Sequence, residues 1–292
     1  MKGCYRIVVS NSKIRYDFTV RRNITIIKGD SATGKTTLVE MIREHYESGD
    51  HSGIELSCDR VCRVLAGRDW KILLAAIHES IIFIDEDNEF LPTNEFAEAV
   101  RESDNYYVIV TREGLPNLPY SVEEIYGIRE SGKYASLKQT YNEFYHIYGR
   151  TEYKKTVRPE YVIVEDSNSG YEFYEALSKN GGYTVSSAGG KSNIYGMIMK
   201  NPERNILIIA DGAAFGAEMD RIMKLLKRRK GIVLYLPESF EWLILKSGII
   251  PDGKLKEILE TPENYIESGS YFSWERFFTA TLTEMTRDSY LR

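Results

Sequence analysis

The sequence predicts an α/β protein made of two parallel-sheet α/β domains with a helical C-terminal tail. In the first half, continuous apolar runs end in polar residues, as in "SIIFIDED" (80–87) and "YYVIVTR" (106–112). Such runs are typical of strands buried on both faces. In the second half, strand-like and helix-like segments alternate four times. The length of 292 residues is about twice that of an average domain, which favours two domains.

The first half opens with a predicted hairpin. Two β-rich runs, "YRIVVS" (5–10) and "IRYDFTV" (14–20), flank the turn-forming "NSK". The buried strand "NITIIKG" follows, and apolar residues at helical spacing predict a helix over 35–46. The polar, aromatic and basic stretch 126–158 is interpreted as the join between the domains, with a helix around 137–148.

The second half repeats one unit, in which a strand is followed by a helix. The four pairs are "YVIVE" and "YEFYEALSK", "YTVSS" and "NIYGMIMK", "NILIIAD" and "EMDRIMKLLK", and "GIVLYLPE" and "FEWLILK". This regularity predicts a second parallel, doubly wound domain. The predicted domains are 1–150 and 158–250, and the helical extension 251–292 is expected to pack on the second of them.

Composition limits the classes of function. A net charge of −5 argues against a chain that coats nucleic acid over its whole surface, although it allows a local basic groove. Three cysteines in a chain of this size predict a reducing compartment. The pair Cys58 and Cys62 has two interpretations. Their spacing can place both thiols on one helical face as ligands of a metal site, or the two residues are small hydrophobic side chains buried in the core. The N-terminus has no long apolar run, so we expect a cytoplasmic protein that does not contact a membrane.

A glycine-rich turn lies between the third strand and the first helix. "GDSATGKT" fits the phosphate-binding template G-x-x-x-x-G-K-[ST] in a strand–turn–helix context. Lys35 is expected to reach the β- and γ-phosphates of a nucleotide, and the Thr36 hydroxyl to bind Mg²⁺. The alternative is an accidental glycine-rich turn. The predicted nucleotide-binding residues are Gly29, Asp30, Ser31, Ala32, Thr33, Gly34, Lys35, Thr36 and Thr37.

Acidic residues after a later buried strand complete the predicted nucleotide site. Asp85 is expected to hold the Mg²⁺, and Glu86 to orient or deprotonate the attacking water. A solvated strand end is the alternative for these acids. Thr111 or Arg112, at the end of the neighbouring strand, is a weaker candidate for sensing the γ-phosphate.

With these motifs the first half resembles the P-loop ATPases of the ABC and RecF-like branch. The resemblance implies ATP and Mg²⁺ as cofactors and hydrolysis as the reaction. The chain departs from that branch because 36–84 contains no LSGGQ-like signature and no long coiled-coil insertion. A small-molecule kinase is the rival, but the arginine-bearing lid expected of one is not evident.

Acidic residues also end three predicted strands of the second half: Glu165, Asp211 and Glu238. Ligands of open α/β sheets bind at the carboxyl ends of the strands. The nearby turn "SSAGGKSN", with Lys191, suits a phosphate group. Acids converging beside such a turn are suited to hold Mg²⁺ against a phosphodiester, and surface acids without a function are the alternative.

The blocks "YVIVEDSNSGYEFYEAL", "VSSAGGKSNI", "ILIIADGAAFG" and "YLPESFEWLIL" resemble a Toprim domain, particularly that of OLD-family nucleases. The resemblance implies a Mg²⁺-dependent strand-cleaving site, with Glu165 as general acid or base and Asp211 as metal ligand. Two acids of the family are replaced here, by Ala213 and Ser169. The acids considered as replacements are Glu238, Glu241 and Asp220.

The expected function is therefore ATP binding and hydrolysis coupled to a Toprim-like domain that acts on or senses nucleic acid, in phage defence or a mobile element. ATP, nucleic acid or a partner protein are the expected partners, and we expect an oligomer. One alternative is a nucleotide-dependent switch or scaffold whose Toprim-like domain is catalytically inactive. Another is a phosphotransferase in which the turn around Lys191 holds the acceptor.

Overall fold

The computed structural model describes residues 1–29, 33–131, 139–149, 156–202 and 205–287, which form an α/β structure with one mixed and one parallel sheet. The chain divides into two compact units. Unit 1 contains Met1–Gly149 and Asp252–Ser273, and unit 2 contains Arg150–Pro251 and Trp274–Arg292. The segment 251–292 is thus divided between the units, whereas the whole of it was expected on the second domain.

Hydrogen bonds to the chain start explain why part of the C-terminal segment belongs to unit 1. The N-terminal ammonium of Met1 donates to Ser268 Oγ at 2.8 Å and is paired with the Glu267 carboxylate. The Gly3 N–H donates to the Glu263 carbonyl at 2.7 Å. Polar contacts of this kind, between distant parts of the chain, leave no periodic signal in the sequence.

Unit 1 contains a nine-stranded sheet of mixed direction. Its strands are β1 Tyr5–Ser10, β2 Ile14–Val20, β3 Ile24–Ile27, β4 Glu55–Ser57, β5 Cys62–Val64, β6 Ile81–Ile84, β7 Tyr106–Val110, β8 Ile125–Glu130 and β9 Thr140–His146. Their order is β4-β1-β2-β9-β8-β3-β7-β6-β5. The pairs β1/β2, β1/β4 and β8/β9 are antiparallel and the other pairs parallel. The first domain was predicted to have a parallel sheet with a leading hairpin. The hairpin is confirmed, but the sheet is mixed, because β4 and β9 also pair antiparallel with their neighbours β1 and β8.

The predicted helix around 137–148 was wrong over the described part of that range. Residues 140–146 form β9, which pairs with β8 and β2, while Leu137 and Lys138 lie outside the described residues. Phe144 of this strand stacks on Phe18 of β2, with ring centroids 4.1 Å apart. Cross-strand packing of this kind overrides local helix propensity. The stretch interpreted as the domain join thus contributes two strands to the first sheet.

The nine-stranded sheet is strongly curved. Flat, it would be about 38 Å wide at the usual strand spacing of about 4.8 Å. Its edge strands β4 and β5 are nevertheless joined by residues 58–61 alone, which span at most about 18 Å. Ring contacts also cross the concave side. Phe18 lies 6.4 Å from Phe83 of β6, and Tyr5 lies 5.6 Å from Tyr106 of β7, centroid to centroid.

The first helix packs inside this curve. Helix α1, Lys35–Ser48, contacts β1 and β4 at one end of the strand order and β5 and β6 at the other. Its buried apolar side chains Leu38, Val39, Met41 and Ile42 join the same core as the strands. The predicted helix over 35–46 is confirmed. The other helices of unit 1 are α2 Trp70–Ala75, α3 Asn94–Arg101 and, in the C-terminal segment, α8 Gly253–Glu260.

Unit 2 contains a parallel sheet of four strands, and each strand is followed by a helix, as predicted. The elements in chain order are β10 Tyr161–Val164, α4 Ser169–Gly181, β11 Thr184–Ser187, α5 Lys191–Lys200, β12 Ile206–Ile209, α6 Met219–Arg228, β13 Ile232–Tyr235, α7 Phe240–Lys246 and the C-terminal α9 Trp274–Thr286. The strand order β11-β10-β12-β13 reverses between β10 and β12. Ligands of such sheets bind at the carboxyl ends of the strands flanking this reversal.

Among the described residues, no helix combines the length and the apolar character needed to cross a membrane.

Candidate functional site

Three neighbouring strands of unit 1 bring the predicted nucleotide-binding residues together at the carboxyl ends of the strands. In the parallel ladder, Ile27 of β3 pairs with Val110 of β7, and Ile84 of β6 pairs with Ile109. Strand β7 therefore lies between the strand that precedes the glycine-rich turn and the strand that precedes Asp85. The backbones of β3 and β6 are about 10 Å apart at two strand spacings, a gap suited to a nucleotide phosphate and its cation.

The side chain of Lys35 contacts both described ends of the glycine-rich turn, Gly29 and Thr33. Lys35 Nζ donates to the Gly29 carbonyl at 2.9 Å and to Thr33 Oγ1 at 3.0 Å, and only 5% of the residue is exposed. The ammonium group is thus held back over the turn that carries it. The predicted residues Asp30, Ser31 and Ala32 lie outside the described residues.

The turn leads directly into the N-terminus of α1. Gly34 is the N-cap residue in a left-handed conformation, and no side chain caps the helix there. The first turn of α1 also carries no acidic residue. Its backbone N–H groups and the helix dipole therefore favour an anion. Thr36 is exposed and Thr37 half-buried beside this helix start.

Gly34 is required at its position for two separate reasons. Its φ is +83°, and a Cβ built there would lie 2.7 Å from Tyr16 Oη. Tyr16 is fully buried, and its hydroxyl donates to the Gly34 carbonyl at 2.8 Å. The ring therefore has no room to move away from an added methyl group.

We expect Gly34→Ala to lower the free energy of unfolding by more than Gly53→Ala does. Gly53 has a similar φ of +67° but no atom within 4 Å of a built Cβ, so it isolates the backbone cost of about 1–2 kcal/mol. The clash with Tyr16 should add about 1–3 kcal/mol at Gly34. Urea unfolding of both variants measures the difference, and equal losses would contradict the steric argument.

The carboxylates predicted to serve the cation and the water follow β6. Asp85 is 9% exposed, and its Oδ1 accepts from the Glu86 N–H at 2.8 Å. Its backbone carbonyl accepts from Asn88 Nδ2 at 2.9 Å. These bonds hold the Asp85 side chain at the strand end. Glu86 forms an ion pair with Arg112, the residue two positions after β7, at 2.7 Å.

Thr111 joins the end of β7 to the end of β3. Its N–H donates to the Ile27 carbonyl at 3.1 Å, and its hydroxyl donates to the Glu113 carbonyl at 3.0 Å. Because it is bonded within its own turn and 6% exposed, Thr111 supports the backbone. Arg112, which is 58% exposed in its side chain, is the more accessible of the two candidates.

A second cluster lies at the strand-order reversal of unit 2. The Asp211 N–H donates to Glu165 Oε2 at 3.0 Å, which places the residues following β10 and β12 in direct contact. A small pocket opens here, lined in part by Glu165, Asp166, Asp211 and Phe240. Two of the three acids predicted from strand ends, Glu165 and Asp211, are thus brought together by the fold.

Burial and repulsion between the carboxylates shift the pKa values of this cluster. Burial, and secondarily the Glu165 carboxylate, raise the pKa of Asp211 to about 9. Burial raises the pKa of Glu165 to about 7, although the Asp211 N–H and the Lys191 ammonium oppose the shift. At neutral pH the cluster therefore holds protons that a divalent cation would displace.

Sequence reasoning missed two acids of this cluster. Glu275, in the first turn of α9, and Asp166 both raise the pKa of Asp211 by their charge, as does Glu241 of α7, which was considered as a replacement ligand. Burial raises the pKa of Glu275 itself. Glu275 lies far along the chain from the strand-end acids, in the predicted helical extension, so no sequence signal pointed to it. Asp166 was detectable from the sequence as a turn residue. In the structure its carboxylate accepts from the N–H groups of Asn168 and Gly170.

Lys191 lies beside these acids. Its ammonium donates to the Ala214 carbonyl at 2.8 Å, in the loop that follows β12. Burial lowers the pKa of Lys191, while the charges of Glu165, Glu218 and Glu275 act in the opposite direction. The turn predicted to hold a phosphate therefore directs its lysine toward the same cluster.

The two replaced positions carry no carboxylate in this cluster. Ala213 is buried, and its N–H donates to the Glu238 carbonyl at 3.2 Å. Ser169 is the exposed first residue of α4, and Asp220 lies in α6. Over the ranges that the structure describes, no three His, Cys, Asp or Glu side chains form a group arranged to hold a metal ion.

Comparison of the chain with protein-family models, with curated proteins and with solved structures returned no match in any of the three.

Proposed function

We propose that unit 1 binds ATP with Mg²⁺ and hydrolyses it. The observation that carries this proposal is the strand arrangement β3-β7-β6, which brings the glycine-rich turn, Arg112 and the Asp85–Glu86 pair to the same carboxyl end of the strands. Each part has a role in phosphoryl transfer: Lys35 for the phosphates, Thr36 and Asp85 for the cation, and Glu86 for the water.

The ion pair of Glu86 with Arg112 supports a gated site. In the structure the Glu86 carboxylate is paired with the Arg112 guanidinium, and this contact occupies the oxygen that would hold the attacking water. A γ-phosphate competes for the same guanidinium, because arginine pairs readily with phosphate oxygens. Binding of ATP would thus release Glu86 for its role as base.

For unit 2 we propose that the cluster around Glu165 and Asp211 acts on or senses nucleic acid. The supporting observation is its position at the strand-order reversal, with Lys191 beside it. Clustered carboxylates repel a phosphodiester unless a cation or protons neutralise them, and in the cleavage proposed here Mg²⁺ would neutralise them. The buried Ala213 in place of a third ligand favours the second candidate, a nucleotide-dependent switch whose unit 2 binds without cleaving.

The proposal for unit 1 is tested by Lys35→Ala against Lys13→Ala. Lys13 is an exposed lysine in the hairpin turn, so its substitution removes the same positive charge at a position outside the site. We expect wild type and Lys13→Ala to bind a fluorescent ATP analogue and to release phosphate with Mg²⁺. Lys35→Ala should lose both, since the ammonium contacts the phosphates.

Two further results bear on the same proposal. Thr36→Ala, at an exposed position, should weaken the Mg²⁺ dependence of nucleotide binding while the fold persists. If Lys35→Ala binds ATP as tightly as Lys13→Ala, the turn is not a nucleotide site. If phosphate is transferred to an added small acceptor rather than to water, the protein is a phosphotransferase.

A further inference from the structure

Cys58 and Cys62 lie where the two edges of the nine-stranded sheet meet. Cys58 follows the last residue of β4, one edge strand, and Cys62 is the first residue of β5, the other. Residues 58–61 are the entire connection between these edges. The Cys62 thiol donates to the Arg60 carbonyl within this connection at 3.8 Å, and Cys58 packs against the core that includes Cys62.

The connecting turn is tied to strands from both edges. The Arg60 guanidinium lies 5.4 Å from the ring centroid of Tyr5 in β1 and pairs with Glu79 at 3.0 Å, just before β6. The Ile81 N–H donates to the Val61 carbonyl at 2.9 Å. These contacts hold the turn, so Cys58 and Cys62 are kept at its two ends, on the strands that it joins.

The two thiols differ in accessibility and acidity, as a redox pair requires. Cys58 is half-buried, whereas 3% of Cys62 is exposed. Interaction with the Cys62 thiol and with the Arg60 backbone lowers the pKa of Cys58 despite its partial burial. Hydrogen bonding to Cys58 and burial raise the pKa of Cys62. Cys58 is thus the nucleophile and Cys62 the resolving thiol.

We infer that Cys58 and Cys62 form a reversible disulfide when the protein meets a peroxide, and that this bond ties together the two sheet edges that enclose α1. In the first step the Cys58 thiolate attacks hydrogen peroxide, an S–O bond forms, the O–O bond breaks and hydroxide leaves. In the second step the Cys62 sulfur attacks Cys58, the S–S bond forms, and the hydroxyl leaves as water with the Cys62 proton. Two thiols are oxidised, and one peroxide is reduced to water.

The third cysteine gives a matched control. Cys4 is exposed, but burial of its sulfur and the nearby Glu263 carboxylate raise its pKa to about 11. It should therefore react more slowly than Cys58 at neutral pH in spite of its accessibility. Metal binding is a poorer explanation of the pair, since within the described ranges no third His, Cys, Asp or Glu completes a site with it.

The experiment treats the reduced full chain with hydrogen peroxide at pH 7, unfolds it, alkylates it and measures intact and peptide masses. Wild type and Cys4→Ser should each lose two alkylation sites, gain a Cys58–Cys62 crosslinked peptide and recover with dithiothreitol. Cys62→Ser should instead accumulate a sulfenic acid at Cys58 that reacts with dimedone. Retention of all three thiols in wild type, or over-oxidation of Cys58 without a crosslink, overturns the proposal, and neither result depends on the folding of a variant.

Discussion

Glu86→Gln is expected to reduce the turnover number for ATP by about 10²–10⁴-fold while leaving the dissociation constant for ATP nearly unchanged. The amide has the shape of the carboxylate but accepts no proton from the attacking water. Glu86 is held at the carboxyl end of β6, beside the buried Asp85, so the substitution changes charge and not position. Phosphate release under saturating ATP measures turnover, and binding of a fluorescent ATP analogue measures affinity.

Asp87→Asn is the matched control for this prediction. It makes the same carboxylate-to-amide change at the next residue, which is exposed, and it should retain wild-type turnover. A loss of equal size in both variants would point to charge at the strand end rather than to a base at Glu86. Full turnover in Glu86→Gln would remove this residue from the mechanism.

The ion pair between Glu86 and Arg112 allows a sharper test of the gate. If Arg112 acts only through Glu86, the double variant with Arg112→Gln and Glu86→Gln should have the same turnover number as Glu86→Gln alone. If Arg112 also contacts the γ-phosphate, the double variant should bind ATP more weakly. A double-mutant cycle separates the two cases.

Asp211→Asn is expected to stabilise unit 2 at alkaline pH and to abolish its response to Mg²⁺. The folded-state pKa of Asp211, about 9, is far above its ordinary value of 3.8. Between these pH values the folded state holds a proton that the unfolded chain has lost, so the free energy of unfolding of wild type falls as pH rises. The asparagine removes this dependence. We expect it to be more stable than wild type by about 1–4 kcal/mol near pH 9, and by less near pH 5.

Two compact units need not unfold together, so the measurement must report on unit 2 itself. Hydrogen exchange of peptides covering β10 and β12, with EDTA, gives its local stability at several pH values. Glu172→Gln, an exposed acid-to-amide change in α4, is the control and should not alter the pH dependence. A difference between Asp211→Asn and wild type that is independent of pH would contradict the assigned titration.

The same proteins decide between the two candidate functions of unit 2. If the cluster binds Mg²⁺, the cation should protect wild-type peptides from exchange, more strongly at pH 9 than at pH 6, because binding displaces protons. Asp211→Asn should show no such protection. Plasmid cleavage with Mg²⁺ or Mn²⁺ that is lost in Asp211→Asn would identify a nuclease. Protection from hydrogen exchange by Mg²⁺ without cleavage of the plasmid would favour the nucleotide-dependent switch, whose unit 2 binds without cleaving.

Local chemistry made part of this protein predictable from sequence. The turn at Gly29–Lys35, the strand ends at Asp85 and Glu165, and the four strand–helix pairs of unit 2 each depend on residues close together in the chain. Glycine conformation, apolar periodicity and the direction of parallel strands act over short spans, so a single sequence contains them. The expected ATP, Mg²⁺ and nucleic-acid functions stay predictions for the experiments above.

Other features depend on which distant segments pack together. Residues 140–146 became a strand because β8 and β2 provide partners and Phe18 provides a stacking surface for Phe144. Segment 252–273 joined unit 1 through contacts that include those with the chain start. No local pattern contains either partner.

The sequence by itself determined where the two candidate sites begin, through Lys35 and the strand-terminal acids Asp85, Glu165 and Asp211. Only the tertiary structure decided what surrounds them: Arg112 on Glu86, Glu275 beside Asp211, and the two sheet edges brought together at Cys58 and Cys62. The physical reason is the distance along the chain over which each interaction acts. Backbone conformation and periodicity act between neighbours along the chain, whereas burial, ion pairing and sheet curvature depend on residues that only the packed fold brings together.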